Sequence, residues 1–195
     1  MSALDAKAAW RRALMARRAA IPELERRRAA EAIAARVLES PELAAARHVL
    51  VCLSFGDELD TRELIGSLLR SGRELFVPRV EKGKTALHVH PFPCRLETLS
   101  FGLEQPAPGE PALAPEAIDA TLDLALVAGL GFDRRGYRLG YGAGYFDRFL
   151  VGRRFPALGL AFASQIVDRL PLEAHDVPLS AVLTEAERID PGAGA

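Results

Sequence analysis

The chain has little cysteine, no long apolar run and no surplus of charge. Only Cys52 and Cys94 occur among 195 residues, and their separation argues against a secreted disulfide framework. Cys52 lies in the apolar run VLVCLS, where a buried free thiol is expected, and Cys94 follows PFP in a loop. This usage fits a reducing, cytoplasmic setting. No segment approaches the ~20 consecutive apolar residues that span a bilayer. The leading MSALDAKAAWRRALMARR has neither the continuous apolar stretch nor the cleavage pattern of a secretory signal, although it is amphipathic and arginine-rich, as a transit peptide is. With 25 Lys and Arg against 26 Asp and Glu, the formal net charge is -1, so no global field draws nucleic acid or an anionic membrane. Repeats, low-complexity blocks and coiled-coil heptads are absent too, which leaves a monomer as the default.

Several catalytic motifs are also missing. No G-x-S-x-G elbow is present, so a serine hydrolase of that type is not indicated. The glycines at 140, 142 and 144 lack the lysine and Ser/Thr that complete a Walker A loop, and Tyr145 takes the third glycine position of the dinucleotide fingerprint. His88 and His90, two apart on an expected strand, have no nearby Cys or carboxylate to complete a metal set, so a solvated strand face is expected there.

What is present alternates between helical and strand patterns. Residues 5–19 and 22–39 read as helices, with Asp5 as a cap and Pro22 suited to a first turn. HVLVCLS (48–54) reads as a buried strand and 61–72 as a helix, capped by Thr61 and ended at Gly72. ELFVP (74–78) and ALHVHPF (86–92) alternate as strands, and LDLALVAG (122–129) is the strongest buried strand. GYFDRFLVG resembles a helix, FPALGLAF a strand and AVLTE a final short strand. The proline-rich segment 93–116 is expected to be a long loop or lid. The sum is an α/β fold: an open, mostly parallel sheet flanked by helices, a single domain over 1–190 with an N-terminal helical segment (1–40) and a tail at 191–195. Ligands are expected beyond the carboxyl ends of the strands, where SFGDELDT and AGLGFDRRGYRLGYGAGYFD leave the sheet.

The second of these segments contains RLGYGAGYFD (138–147). Alternate glycines let amides approach an anion without side-chain interference, and a helix starting at Tyr145 would turn its N-terminus to the same anion. Arg138 suits bidentate phosphate contacts. Asp147 beside a phosphate requires a bridging cation, for which magnesium is the usual ion. A glycine-rich turn packed on aromatic rings remains the alternative. On the first helix Lys7, Arg11 and Arg18 share one face with Leu14, and Trp10 and Ile21 lie a little further round. They read as a second anion site or, more simply, as cations snorkelling at the rim of an apolar face. His175-Asp176, just ahead of the last strand, reads alone as a surface loop.

These pieces together resemble the 5-formyltetrahydrofolate cyclo-ligase family. The resemblance rests on GLGFDRRGYRLGYGAGYFDRFL (129–150), with the K-x-x-x-R helix (Lys7, Arg11), SFGDELDT (54–61), FGLEQP (101–106) and LPLEAHDVPLSAVLTE (170–185) in order. It implies an enzyme that uses ATP and Mg2+ to close 5-formyltetrahydrofolate into 5,10-methenyltetrahydrofolate with release of ADP and phosphate, through a phosphorylated formyl group attacked by N10. It also implies that Lys7, Arg11, Arg138, Leu139, Gly140, Tyr141, Gly142, Ala143, Gly144, Tyr145 and Phe146 meet ATP. Phe55, Asp60 and Tyr141 through Tyr145 would meet the folate, and Asp147 and Asp176 would hold magnesium. Arg138 and Tyr145 would stabilise phosphoryl transfer, with no general base named. Ala143, Phe146, Asp60 and Ser180 depart from common family residues, and Ala143 is tolerable only if its φ is negative. Two other readings stay open: the same ATP chemistry on another formamide, and a folate- or nucleotide-binding module without turnover.

Overall fold

Apolar alternation organises the molecule. In chain order the computed structural model contains α1 (Ala3–Ala19), α2 (Glu23–Leu38), α3 (Pro41–Ala45), β1 (His48–Val51), α4 (Arg62–Arg70), β2 (Glu74–Val80), β3 (Leu87–Phe92), β4 (Leu96–Thr98), β5 (Glu104–Pro106), α5 (Ile118–Thr121), β6 (Leu124–Val127), β7 (Gly131–Asp133), β8 (Arg138–Leu139), α6 (Tyr145–Leu150), β9 (Ala157–Leu160), β10 (Ile166–Val167), β11 (Ala181–Leu183) and β12 (Arg188–Ile189). It describes residues 3–81, 83–100 and 102–192. Phe101 of the FGLEQP stretch and most of the expected tail at 191–195 lie outside the described residues.

Seven strands form the main sheet in the order β12-β11-β9-β6-β1-β2-β3. The inner strands β11, β9, β6, β1 and β2 run parallel, and β3 and β12 pair antiparallel at the two edges. Successive side chains on a strand face opposite sides, and the core divides accordingly. Val49 and Val51 of β1, Leu124 and Leu126 of β6, and Leu158 and Leu160 of β9 pack with Ile33 and Val37 of α2 and Leu64 and Leu68 of α4. Leu50, Ala125, Val127 and Ala157 face the other way and pack with Ile118 of α5 and Phe149 and Leu150 of α6. Continuous apolar runs are what a sheet covered on both faces requires.

The strand order fixes where a ligand can sit. From β1 the chain proceeds to β2 on one side, and later returns to place β6 on the other side of β1. Connections therefore diverge between β1 and β6, which opens a crevice beyond their carboxyl ends.

A small second sheet, β10-β7-β8, was not foreseen from the sequence, because its strands are two or three residues long. The turn between β7 and β8 is built by Asp133. Its Oδ1 accepts from the backbone N–H of Arg135 at 3.0 Å and of Tyr137 at 3.1 Å. Its Oδ2 accepts from Leu170 N–H at 3.0 Å and from Arg135 Nη2 at 2.6 Å. A fully buried carboxylate with this many donors shapes the hairpin that delivers Arg138.

Helix α1 docks on this small sheet. Leu14 is fully buried with Leu130, Leu139, Val167 and Leu170, and Trp10 packs at the edge. Such a side chain contributes about 1.5–3 kcal/mol of burial. Gly131 permits the approach, since a Cβ there would meet Leu14 Cδ1 at 2.4 Å.

Several expectations are corrected. Thr61 makes no side-chain cap on α4; its hydroxyl donates to Cys52 O at 2.9 Å, and Asp60 Oδ1 accepts from Arg62 N–H at 2.9 Å instead. Segment 93–116 is not a plain loop, for it contains the antiparallel pair β4–β5. Arg79 of β2 ties that pair down through Glu97 at 2.5 Å and Pro106 O. AVLTE is not the last strand, since β12 follows it. His90 is buried rather than solvated, because the chain after β5 folds onto β3, with Leu113 N–H donating to Val89 O at 2.8 Å.

Candidate active site

Two hollows meet at the crevice between β1 and β6. The larger, about 190 Å3, is lined by Cys52, Leu53, Phe55 and Glu58 from beyond β1 and by Ala128 and Gly129 from beyond β6. Pro78 and Val80 of β2, Leu103, Glu104 and Gln105 of the β4–β5 hairpin, and Arg138, Gly140, Tyr141 and Ala143 through Asp147 complete it. The smaller, about 50 Å3, is lined by Lys7 and Arg11 of α1, by Arg138, Leu139, Gly140, Gly142, Gly144 and Asp147, and by Glu173, His175 and Asp176. Arg138, Gly140, Gly144 and Asp147 border both. The glycine segment is thus a partition with an apolar, aromatic hollow on one side and a charged one on the other.

Glycine is required in that partition for stated reasons. Gly142 (φ 111) and Gly144 (φ 66) lie in the left-handed region, where a side chain clashes with its own backbone. A Cβ on Gly140 would stand 3.0 Å from Arg138 Nη1. No non-glycine residue described has a positive φ, so Ala143 meets the condition that its methyl imposes.

In the charged hollow Lys7 and Arg138 are each matched with an acid, while Arg11 is held by a backbone carbonyl. Lys7 Nζ lies 2.7 Å from Asp176 Oδ2 and 2.7 Å from Glu173 Oε2. Burial alone would lower the Lys7 pKa, but these hydrogen bonds more than offset it and leave the ammonium held above its usual value. Arg138 Nη2 donates to Asp147 Oδ1 at 2.8 Å, and its guanidinium lies 5.4 Å from the Phe146 ring centre. Arg138 Nε is buried without a partner. Arg11 Nε donates to Gly140 O at 3.0 Å, fastening the helix to the partition. The simpler reading of the α1 cations, side chains snorkelling to solvent at an apolar rim, is therefore corrected: Lys7 and Arg18 are 5% and 4% exposed, drawn inward by Leu14 between them.

Oxygen donors predominate in this hollow. Glu173, His175 and Asp176 place one ligand atom each within 4.8 Å of one another, and Asp147 borders the same space. Carboxylates with few nitrogen donors suit a hard divalent ion such as magnesium. The Lys7 ammonium already resting on Asp176 shows that positive charge is stabilised at this point.

The wall of the larger hollow is polar at one corner. Tyr141 donates its hydroxyl to Glu58 Oε1 at 2.8 Å and accepts from Arg18 Nη2 at 2.8 Å. Phe55 and Tyr141 have ring centres 5.9 Å apart. Burial pushes the Glu58 carboxyl up, and the hydrogen bond from Tyr141 and the nearby Arg18 charge oppose it. Cys52 is an inert thiol, pushed up to about 12 by burial. Tyr145 Oη donates to Glu81 O at 2.9 Å across the mouth.

The expected site residues are brought together with one exception. Lys7, Arg11, Arg138 through Phe146, Phe55, Asp147 and Asp176 all border one of the two hollows. Asp60 borders neither; it faces Arg62 at the start of α4. Glu58, two residues earlier, is the carboxylate that lines the larger hollow. Sequence reasoning also missed Arg18 as part of this wall and Glu173 as a partner of Lys7.

An open α/β sheet whose divergence point holds an apolar hollow fused to an acid- and cation-lined one is the architecture of a two-compartment small-molecule site. The profile of the 5-formyltetrahydrofolate cyclo-ligase family matches residues 3–185. A probable 5-formyltetrahydrofolate cyclo-ligase from Caenorhabditis elegans is 32% identical over 183 residues, covering 87% of each chain. The 5-formyltetrahydrofolate cyclo-ligase of Escherichia coli K12 is 32% identical over 178 residues, 88% of this chain and 95% of that one. The NMR structure of Aquifex aeolicus 5,10-methenyltetrahydrofolate synthetase superposes with a TM-score of 0.80 at 30% identity, covering 97% of this chain and 94% of that one. The chain belongs to the 5-formyltetrahydrofolate cyclo-ligase family.

Proposed function

We propose that this protein closes 5-formyltetrahydrofolate into 5,10-methenyltetrahydrofolate, using ATP and magnesium and releasing ADP and phosphate. The observation that carries the reading is the glycine partition, whose two sides suit the two substrates. The aromatic hollow with Phe55, Tyr141 and Glu58 takes the flat reduced pterin, and the Glu58 carboxylate accepts from its N–H donors. The charged hollow takes the triphosphate.

Arg138 stands where the hollows join, so its guanidinium is placed to follow charge as the phosphoryl group passes to the formyl oxygen. Phosphoryl transfer is governed by positioning and electrostatics rather than by covalent chemistry from the protein. Lys7 and Arg11 hold the remaining phosphates from α1. Magnesium, when bound, would spread the phosphate charge further, and Asp147 and Asp176, with Glu173 beside them, are the residues to hold it. Once the formyl oxygen carries the phosphoryl group, N10 of the same folate attacks and phosphate leaves. That step is intramolecular, so a wall that fixes the ring supplies much of its rate. Tyr145, at the mouth of the hollow, orders the approach of the ring. All the groups required come from one chain, which supports action as a monomer. Both cysteines are free, which supports a reducing, cytoplasmic setting; among the described residues no helix is long and apolar enough to cross a membrane.

The test is appearance of the methenyl chromophore from 5-formyltetrahydrofolate, followed with and without ATP and with magnesium chelated. Turnover that needs both is expected. Product at the same rate without ATP, or none above background with it, removes the reading.

A further inference from the structure

Arg18 is buried, carries charge and lies outside both hollows. It comes from α1, eleven positions after Lys7 on the same face, and its side chain is 4% exposed. Nη2 donates to Asp57 Oδ1 at 2.6 Å and to Tyr141 Oη at 2.8 Å, while Nη1 stands 3.6 Å from Glu58 Oε1. Its Cζ is 5.8 Å from the centre of the Tyr141 ring. One guanidinium therefore joins three elements: the first helix, the loop after β1 and the glycine partition.

Glu58 needs such a partner. Its side chain is 7% exposed, and an isolated buried carboxyl favours the neutral form. A protonated Glu58 would offer a donor where the pterin edge also presents donors. The groups facing it are Arg18 from α1, Tyr141 from the partition, Asp57 from its own loop and Cys52 from beyond β1. Asp57 opposes ionisation and Cys52 is a neutral thiol, so Arg18 is the one cation in this set. Tyr141, which burial and the Glu58 charge keep protonated, passes the polarisation on by accepting from Arg18 and donating to Glu58.

We infer that Arg18 is a positioning residue for the reduced-folate hollow: it fixes Glu58 and Tyr141 as one hydrogen-bonded wall and keeps Glu58 the anion that substrate N–H groups require. This rests on the cyclo-ligase reading for the identity of the substrate, but not for the charge state of Glu58.

The experiment compares the full-length wild type with Arg18→Gln and Arg18→Lys. Gln removes the charge and keeps donors; Lys keeps the charge and loses the fork. The Glu58 carboxyl is titrated by carbon-detected NMR without ligands, and kcat and KM for 5-formyltetrahydrofolate are measured across pH. In Arg18→Gln the Glu58 midpoint is expected to rise by about one unit or more. The acid limb of kcat/KM moves with it, and on that limb KM rises roughly tenfold per unit, with kcat and ATP affinity little changed. Arg18→Lys should stay near wild type. An unmoved midpoint in Arg18→Gln, or an equal pH-independent loss in both variants, overturns the inference. Should Arg18→Gln fail to fold alone, it is combined with Asp57→Asn, which removes one charge of each sign: the Glu58 midpoint must lie higher in the double variant than in Asp57→Asn, and equal midpoints overturn the inference. Absence of turnover by wild type would count against the cyclo-ligase reading, while the NMR midpoints still decide the role of Arg18.

Discussion

Lys7 and Asp176 are 169 residues apart in sequence, and their charged groups meet at 2.7 Å. Arg138 and Asp147 form the matching pair at 2.8 Å on the other side of the charged hollow. Each joins a cation to a carboxylate, so the two pairs hold their charges balanced. In the proposed reaction each pair would exchange partners, cation to phosphate and carboxylate to metal. Triphosphate and metal are therefore expected to bind as a unit.

Replacing Lys7 by Gln tests the cation side. A charged hydrogen bond contributes about 1.5–3 kcal/mol, so the Kd for Mg-ATP should rise roughly ten- to hundredfold. Calorimetry checks this; an unchanged Kd would remove Lys7 from the phosphate site.

Asp147→Asn separates the two roles of its pair. It removes a carboxylate charge but frees Arg138, whose Nη2 it holds. The magnesium concentration needed for half-maximal rate should rise. ATP in the presence of a chelator should bind at least as well as to wild type. A magnesium titration of the rate and a chelated ATP titration give both answers, and an unaltered magnesium requirement refutes ligation by Asp147.

Gly129→Ala reaches the site from behind. A Cβ there would lie 2.8 Å from Arg138 Cγ and 3.0 Å from Phe132 Cζ. Overpacking of this kind costs about 1–3 kcal/mol, and the movable partner is Arg138. The melting temperature should fall, and ATP affinity should fall beyond what the loss of folded protein explains. Normal ATP binding by the folded fraction would show that Arg138 stays in place.

The edge of the sheet carries a pH-dependent contact. Arg188 on β12 grips Glu42 on α3 with Nη2–Oε1 at 2.7 Å and Nη1–Oε2 at 3.1 Å. The hydrogen bond from Arg188 holds the Glu42 carboxyl below its ordinary value, more than offsetting partial burial. A depressed native pKa contributes stability that is present above the unfolded value, near 4.5, and is lost as pH falls through the native one. Glu42→Gln should therefore cost about 1 kcal/mol at pH 7. The difference from wild type should vanish in acid below the native pKa. Denaturant melts at neutral and acidic pH measure it, and a difference that persists in acid would mean the pair is not its source.

Some of the site was legible because it depends on local chemistry. The alternate glycines with Arg138 and Asp147 marked a segment that lines a hollow, and the family resemblance placed Lys7, Arg11 and Asp176 beside it. Asp60 shows the limit. Two acids stand two positions apart in GDELD, and a loop has no period to say which faces inward. The fold turned Glu58 to the hollow and gave Asp60 to the backbone N–H and guanidinium of Arg62 at the start of α4. Arg18 was legible as a cation on the same helical face as Lys7, but not as the partner of Tyr141 and Glu58. His90 looked exposed because nothing in its own strand reveals the segment that later covers it.

The sequence by itself determined the alternation of helices with buried strands, the free thiols and the backbone freedom of the glycine loop, since propensity, burial period and glycine's conformational range act within a few residues. Only the tertiary structure decided which charges meet. Leu14 seated against Gly131 sets α1 over the hairpin, and that docking delivers Lys7, Arg11 and Arg18 to acids far along the chain. Such pairings follow from the packing of whole elements, and no short-range pattern carries them.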